Sequence, residues 1–95
     1  MQAETAAPVV FPRVDLNGSG ARQLAEGYEM AAGAITVAMD KIGHTVPNGR
    51  DYPDEAALRV ALADHRQRLA LLARMRDDYW ALYKHCRAAT RERTG

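Results

Sequence analysis

Residues 24–42, LAEGYEMAAGAITVAMDKI, and residues 58–72, LRVALADHRQRLALL, carry the pattern from which the fold is predicted. In both stretches apolar residues recur at alternating steps of four and three, which places them on one face of an α-helix. In the first stretch the series is Leu24, Tyr28, Ala31, Ile35, Ala38 and Ile42. In the second it is Leu58, Leu62, His65, Leu69 and Leu72, and it continues through Arg76, Tyr79, Tyr83 and Cys86. We call each series the seam of its helix.

Read in opposite directions, the two seams fall into register. Ile42 would face Leu58, and Tyr28 would face Leu72, so that the numbers of each pair add up to one hundred. The chain would then reverse direction near Arg50. The sequence therefore predicts an all-α fold, an antiparallel two-helix hairpin that assembles into an oligomeric helical bundle.

With 95 residues the chain is expected to form a single domain. Residues 1–8 are small and polar and are expected to be disordered, and residues 9–19 read as an extended arm and a turn, with Asn17 or Ser19 as the N-cap of the first helix. We expect helix 1 over residues 20–43, closed by Gly43. A loop over residues 44–53 would contain a tight turn in which Gly49 takes a positive φ, and helix 2 would follow over residues 54–91.

The two predicted helices differ in length. At 1.5 Å per residue, helix 2 would extend about 20 Å beyond the start of helix 1. This overhang would carry Tyr79, Trp80, Tyr83 and Cys86. The arm Val9–Leu16 has the length and polarity to fold back and cover these side chains, and the alternative is that another subunit covers them.

Both helices carry a second apolar stripe away from their seams. On helix 1 it comprises Gly27, Met30, Ala34, Val37 and Lys41, and on helix 2 it comprises Leu71, Met75 and Leu82. A helix with two apolar stripes needs two neighbours. A lone hairpin also has a seam but no enclosed core, so we expect a homo-oligomer.

Charge and cysteine content restrict the compartment and the partners. The net charge of +1 divides into −4 over residues 1–55 and +5 over residues 56–95, which suits either contacts between neighbouring hairpins or an anionic ligand. The single Cys86 fits a reducing compartment. Because no apolar run could span a membrane and no secretory signal is visible, we expect a cytoplasmic protein without membrane contact.

The polar loop Asn48, Gly49, Arg50, Asp51 and Tyr52 is the first candidate ligand site. An arginine fork can grip an oxyanion, a tyrosine ring can stack on a base, and a helix N-terminus follows directly. These parts suit a phosphate or a nucleotide. The alternative is an ordinary solvated turn, since the loop does not match a Walker sequence.

Three further candidates lie elsewhere in the chain. Arg13 and Asn17 form a polar cluster at the other end of helix 1, and they could join Arg50 and Tyr52 only across two chains. Arg76 stands on the seam opposite Leu24, where it would either point into a pocket or simply snorkel or pair with Glu26 or Asp15. His65, opposite Ile35 on the seam, reads as a structural residue.

Several function classes are disfavoured by the residue pattern. No metal-binding spacing of histidine and cysteine occurs, and Cys86 has no base at readable spacing, so we expect no enzyme activity, no metal and no cofactor. The basic residues of helix 2 are interleaved with acids and spread around the helix, which argues against double-stranded nucleic acid as a partner.

The motifs VDLNGS at residues 14–19 and PNGRDY at residues 47–52, each followed by a helix, resemble small uncharacterised proteins encoded in bacteriophages and prophages of GC-rich bacteria. The layout is also similar to phage sponge proteins, which sequester cyclic-nucleotide immune signals between helical hairpins. The resemblance implies a non-enzymatic, phage-encoded counter-defence protein in the host cytoplasm that captures an anionic nucleotide-type signal. The alternative function is a protein–protein interaction module, either an inhibitor of a host defence complex or a component of the phage particle.

Overall fold

The computed structural model describes residues 9–14 and 20–94, with side chains described up to residue 90. Helix α1 spans Ala21–Gly43, a short 3₁₀ helix spans Gly49–Asp51, and helix α2 spans Glu55–Thr94. The two long helices pack against each other, and no strand occurs among the described residues. The chain is therefore all-helical, as its heptad spacing predicts.

Helix α1 begins at a glycine. Its N-cap is Gly20, whose φ of 91° lies in the region that favours glycine, and no side chain of the described residues caps the first turn. The predicted caps Asn17 and Ser19 lie outside the described residues. Alanines fill much of the helix, and their high helix propensity supports it.

The end of α1 differs from the prediction in its detail. Gly43 is the last helical residue, and its φ is not positive. Thr45 closes the helix instead, because its backbone N–H and its hydroxyl both donate to the Ile42 carbonyl, at 2.9 and 2.7 Å. Gly49 also lacks a positive φ, since it begins the 3₁₀ helix.

The start of α2 is capped by Asp54. Its carboxylate accepts a hydrogen bond from the Ala57 backbone N–H at 2.8 Å, and its carbonyl accepts the first helical bond from Leu58 at 3.2 Å. A carboxylate here also complements the helix dipole. This cap fixes the direction in which α2 leaves the loop.

Very little of the molecule is enclosed. Among the described residues the buried apolar side chains are Ala21, Ala25, Ala32 and Cys86, and the buried polar one is His65. The radius of gyration is 18.6 Å, against about 13 Å for a compact chain of this size. The hairpin thus has a seam but no globular core.

The seam is found where the heptads predict it, but its register is displaced. Cys86 shares a buried cluster with Ala21 and Ala25, and the Tyr28 ring lies 6.1 Å from the Tyr79 ring. The residue numbers in these pairs add up to between 107 and 111 rather than one hundred. The displacement is about one heptad, which keeps the same faces in contact while changing every partner.

The loop explains the displacement. Thr45, Pro47 and Tyr52 line a common cavity with the first turns of α2, and a Cβ on Gly49 would lie 3.6 Å from the Leu58 side chain. The chain therefore runs alongside the start of α2 rather than reversing tightly at Arg50. Ile42 at the end of α1 lines the same cavity, together with Ala61 and His65 of α2.

The displaced register also corrects the predicted overhang. Tyr79, Tyr83 and Cys86 lie against α1 itself rather than beyond it. The arm does fold onto α2, as its length predicts: the Phe11 ring stacks on His85 with centroids 4.9 Å apart, and His85 Nε2–H donates to the Pro12 carbonyl at 3.1 Å. Across the part of the chain that the structure describes, neither helix could span a bilayer.

Candidate functional site

The predicted polar loop is held in shape by its own backbone. The Asn48 side chain accepts a hydrogen bond from the Arg50 backbone N–H at 2.9 Å, and its carbonyl accepts from Asp51 at 3.0 Å. These bonds close the 3₁₀ turn and leave the Arg50 and Asp51 side chains exposed. Asn48 therefore has a structural function here, since its carboxamide oxygen already caps the turn.

A cavity of about 720 Å³, open to solvent, lies between this loop, the end of α1 and the start of α2. Its apolar wall comprises Ile42, Pro47, Ala57, Val60 and Ala61. Its polar lining comprises Thr45, Tyr52, Asp64, His65 and Arg68. We call this cavity the groove; its volume lies within the range of small-molecule sites.

His65 lies at the base of the groove. It is only 7% exposed, and its ring makes no hydrogen bond to any described residue. Among the described residues, every fully buried side-chain nitrogen or oxygen has a hydrogen-bond partner. Because the His65 ring has no such partner, neither of its nitrogens is fully buried. The ring nitrogens therefore retain access to solvent, and the groove is the cavity that His65 lines. The sequence places His65 on the seam as a structural residue, and its burial agrees with that.

The charged residues of the groove stand on one helical turn. Asp64 and Arg68 are both exposed, and they are four residues apart on α2. Such a pair commonly forms an ion bridge, yet neither makes an ion pair with a described residue. The groove thus presents a carboxylate and a guanidinium that are both available to a ligand.

The other predicted ligand residues are dispersed. Arg76 is half-buried on α2, where it pairs with Asp77 at 3.4 Å and approaches the Met39 sulfur at 3.6 Å, rather than pairing with Glu26. Arg13 lies in the arm at the opposite end of the hairpin and is exposed. Asn17 lies outside the described residues. Of the predicted set, the loop residues are adjacent, and among these Tyr52 lines the groove.

The groups capable of nucleophilic or metal chemistry are poorly placed for it. Burial raises the pKa of the Cys86 thiol above its ordinary value of 9.0, which keeps it protonated. Cys86 is enclosed in the cluster with Ala21 and Ala25. No group of three potential metal ligands occurs among residues 9–14 and 20–94.

Sequence reasoning missed Asp64 and Arg68, and for His65 it favoured a structural function over that of a ligand. The sequence contains a signal for these residues, since His65 lies on the α2 seam and Asp64 and Arg68 each precede a seam residue by one position. This signal can be used only when the pairing of the two helices is known, because that pairing places Ile42 and the loop, rather than Ile35, beside His65.

Comparison with known protein families, curated proteins and solved structures finds no match to this chain.

Proposed function

We propose that this chain is a non-enzymatic binding protein that folds as an antiparallel helical hairpin and works as a homo-oligomer. The observation that carries this proposal is a set of large apolar side chains that the hairpin leaves exposed. On α1, Met30 and Val37 are 74% and 59% exposed, and on α2, Leu71 and Met75 are 55% and 46% exposed. Covering such side chains is favourable, at about 25 cal/mol per Å² of apolar surface.

The antiparallel arrangement is supported by contacts at both ends. The start of α1, at Ala21 and Ala25, shares a cluster with Cys86 near the end of α2. The end of α1, at Ile42, lines the groove together with Ala61 and His65 from the first half of α2. Contacts in this order are those of two helices that run in opposite directions.

In that arrangement the four exposed side chains lie on one side of the molecule. Each of them precedes a seam residue by one position. One position turns a side chain by about 100° around its helix. The two seams face each other, and the helices run in opposite directions. A rotation by one position toward the N-terminus therefore points the exposed side chains of both helices to the same side of the hairpin. We call this surface, formed by Met30, Val37, Leu71 and Met75, the apolar face.

A second copy of the chain suits the apolar face. Two hairpins joined through such faces form a four-helix bundle with two-fold symmetry, which supplies the enclosed core that one hairpin lacks. The opposite charges of the two halves of the chain, −4 and +5, favour a pairing that brings unlike halves together.

Sedimentation or light scattering across a concentration series tests self-association. Val37→Glu, which buries a charge in the proposed interface, should weaken self-association by about tenfold or more. Val46→Glu is the matched control, since Val46 is 54% exposed but lies in the loop, away from the apolar face. A chain that is monomeric throughout, or equal effects of the two variants, would contradict the proposal.

The second candidate function is capture of an anionic nucleotide-type signal by a phage-encoded counter-defence protein in the host cytoplasm. It is supported by the loop, where Arg50 is exposed and makes no ion pair with a described residue, and where Tyr52 borders the groove. The rival interpretation is an inhibitor of a host defence complex or a component of a phage particle. The apolar face would serve either of these.

Thermal melting with a panel of cyclic dinucleotides and trinucleotides separates the two interpretations. A ligand that binds the folded state raises the melting temperature, and Arg50→Ala should reduce that rise. No rise of the melting temperature across the panel favours the protein–protein interpretation.

A site shared between two chains can be tested by cross-linking. Cysteines introduced by Arg13→Cys and Arg50→Cys should cross-link between subunits of the assembled oligomer.

A further inference from the structure

We infer that the groove binds an amino-substituted heteroaromatic ring bearing one anionic group, with His65 and Asp64 contacting the ring edge and Arg68 the anion. This inference deepens the ligand-capture function proposed above and rests on it. The groups that recognise the ligand then lie on residues 64–68 of α2 rather than in the polar loop.

His65 is the strongest indication of a ligand. His65 is 93% buried as a residue, yet its ring nitrogens keep access to solvent and bond to no described residue. Because His65 lines the groove, these nitrogens are available to a ligand there. One ring nitrogen can donate and the other accept, which suits the alternating donors and acceptors on the edge of a heterocycle.

Asp64 and Arg68 define the polar groups of the ligand. Asp64 can only accept hydrogen bonds when ionised, so it selects an amine or N–H on the ring. Arg68 presents a guanidinium fork, which matches a phosphate or carboxylate. Because the two side chains do not neutralise each other in the structure, a ligand carrying both groups can engage them together.

The apolar wall sets the size and shape of the ring. Ile42, Pro47 and Val60 offer aliphatic surface, and Tyr52 adds an aromatic ring at the loop side. Planar heteroaromatic rings stack favourably on such surfaces. A volume of about 720 Å³ accommodates a mononucleotide-sized molecule.

The groove also lies on the same side as the proposed apolar face. Asp64 and Arg68 each precede a seam residue by one position, as Leu71 and Met75 do further along α2. A second hairpin docked on the apolar face would therefore lie beside the groove and restrict its exposure to water. Ligand binding should consequently strengthen self-association.

Calorimetric titration with adenosine 5′-monophosphate, adenosine and ribose 5-phosphate tests the assignment. The monophosphate should bind more tightly than either fragment. Arg68→Gln should weaken its binding by about fivefold while leaving adenosine unaffected, since an exposed ion pair contributes about 1 kcal/mol. Arg66→Gln is the matched control, because Arg66 is an exposed arginine on α2 that does not line the groove.

His65→Gln, which retains a donor and an acceptor, should weaken both adenosine and its monophosphate, with circular dichroism confirming that the variant is folded. Three outcomes would overturn the inference. They are equal effects of Arg68→Gln and Arg66→Gln, binding of adenosine as tight as that of the monophosphate, and no binding of the monophosphate. If cyclic nucleotides still raise the melting temperature in any of these cases, ligand capture survives and the groove assignment alone fails.

Discussion

The two ends of the hairpin use the same heptad seam in opposite ways. At the arm end, small residues let the helices approach closely, so Ala21, Ala25 and Cys86 are almost fully buried and the arm packs over them. At the loop end, Ile42 and His65 do not close the gap between the elements, and a solvent-filled groove remains. Close packing stabilises the first end, and the second end retains space for a ligand.

One heptad repeat thus supports a closely packed end and an open end, the second of which we propose as the binding region. The alanines and the cysteine at the arm end leave no room for a ligand, whereas the larger and polar residues at the loop end line an open groove. Stability should therefore depend most on the arm end, and ligand binding should depend most on the loop end.

Overpacking the arm end should have the largest effect. Ala25→Leu adds three carbons at a site that is 2% exposed, and we expect a loss of about 2 kcal/mol in the free energy of unfolding. Ala70→Leu is the control, since Ala70 is exposed on α2 and belongs to neither the seam nor the apolar face. Urea unfolding followed by circular dichroism measures both. Equal stability of the two variants would show that the arm end is not the tightly packed end.

Removing the cap at the loop end should have a smaller effect. Asp54→Ala deletes the acceptor of the Ala57 N–H bond, and we expect a loss of about 1 kcal/mol. Asp51→Ala removes an exposed carboxylate from the neighbouring 3₁₀ helix and should change stability much less. If the two variants unfold at the same urea concentration, Asp54 does not cap α2.

Loss of the arm contact should be smaller again. Phe11→Ala removes the ring that stacks on His85, and because Phe11 is 47% exposed we expect a cost of about 0.5 kcal/mol. Val10→Ala, at a site 87% exposed, is the control. Hydrogen exchange provides a local measure: amides near His85 should exchange faster in Phe11→Ala. Unchanged exchange there would show that the arm does not rest on α2.

The thiol at the arm end should give the smallest effect, one that depends on pH. Burial raises the pKa of Cys86, so the unfolded thiol ionises first as pH rises through 9.0. The stabilisation that this thiol contributes is fully present below pH 9.0 and declines as the pH rises from there toward the pKa of the folded state. In Cys86→Ala, the free energy of unfolding should lack this part of the decline at high pH. Rapid native reaction with a thiol reagent, as fast as in urea, would contradict the burial.

The sequence predicted the two helices, their facing seams and the exposed second stripes, because all three follow from helical periodicity. It failed on register, because heptads repeat and a shift of one heptad keeps the same apolar faces together with new partners. The choice between registers depends on the loop, whose packing against Leu58 is a tertiary effect invisible in the pattern. The same error hid the groove, since only the displaced register brings Ile42 beside His65.

Both the packed arm end and the groove depend on this register, and a nuclear Overhauser spectrum edited for carbon-13 on both protons measures it. Labelled chains diluted into an excess of unlabelled chains restrict the signals to contacts within one chain. The structure predicts contacts between the Ala25 methyl group and Cys86, and between the rings of Tyr28 and Tyr79. Contacts of Tyr28 with Leu72 and of Ile42 with Leu58 in their place, or no contact between the two helices, would contradict it.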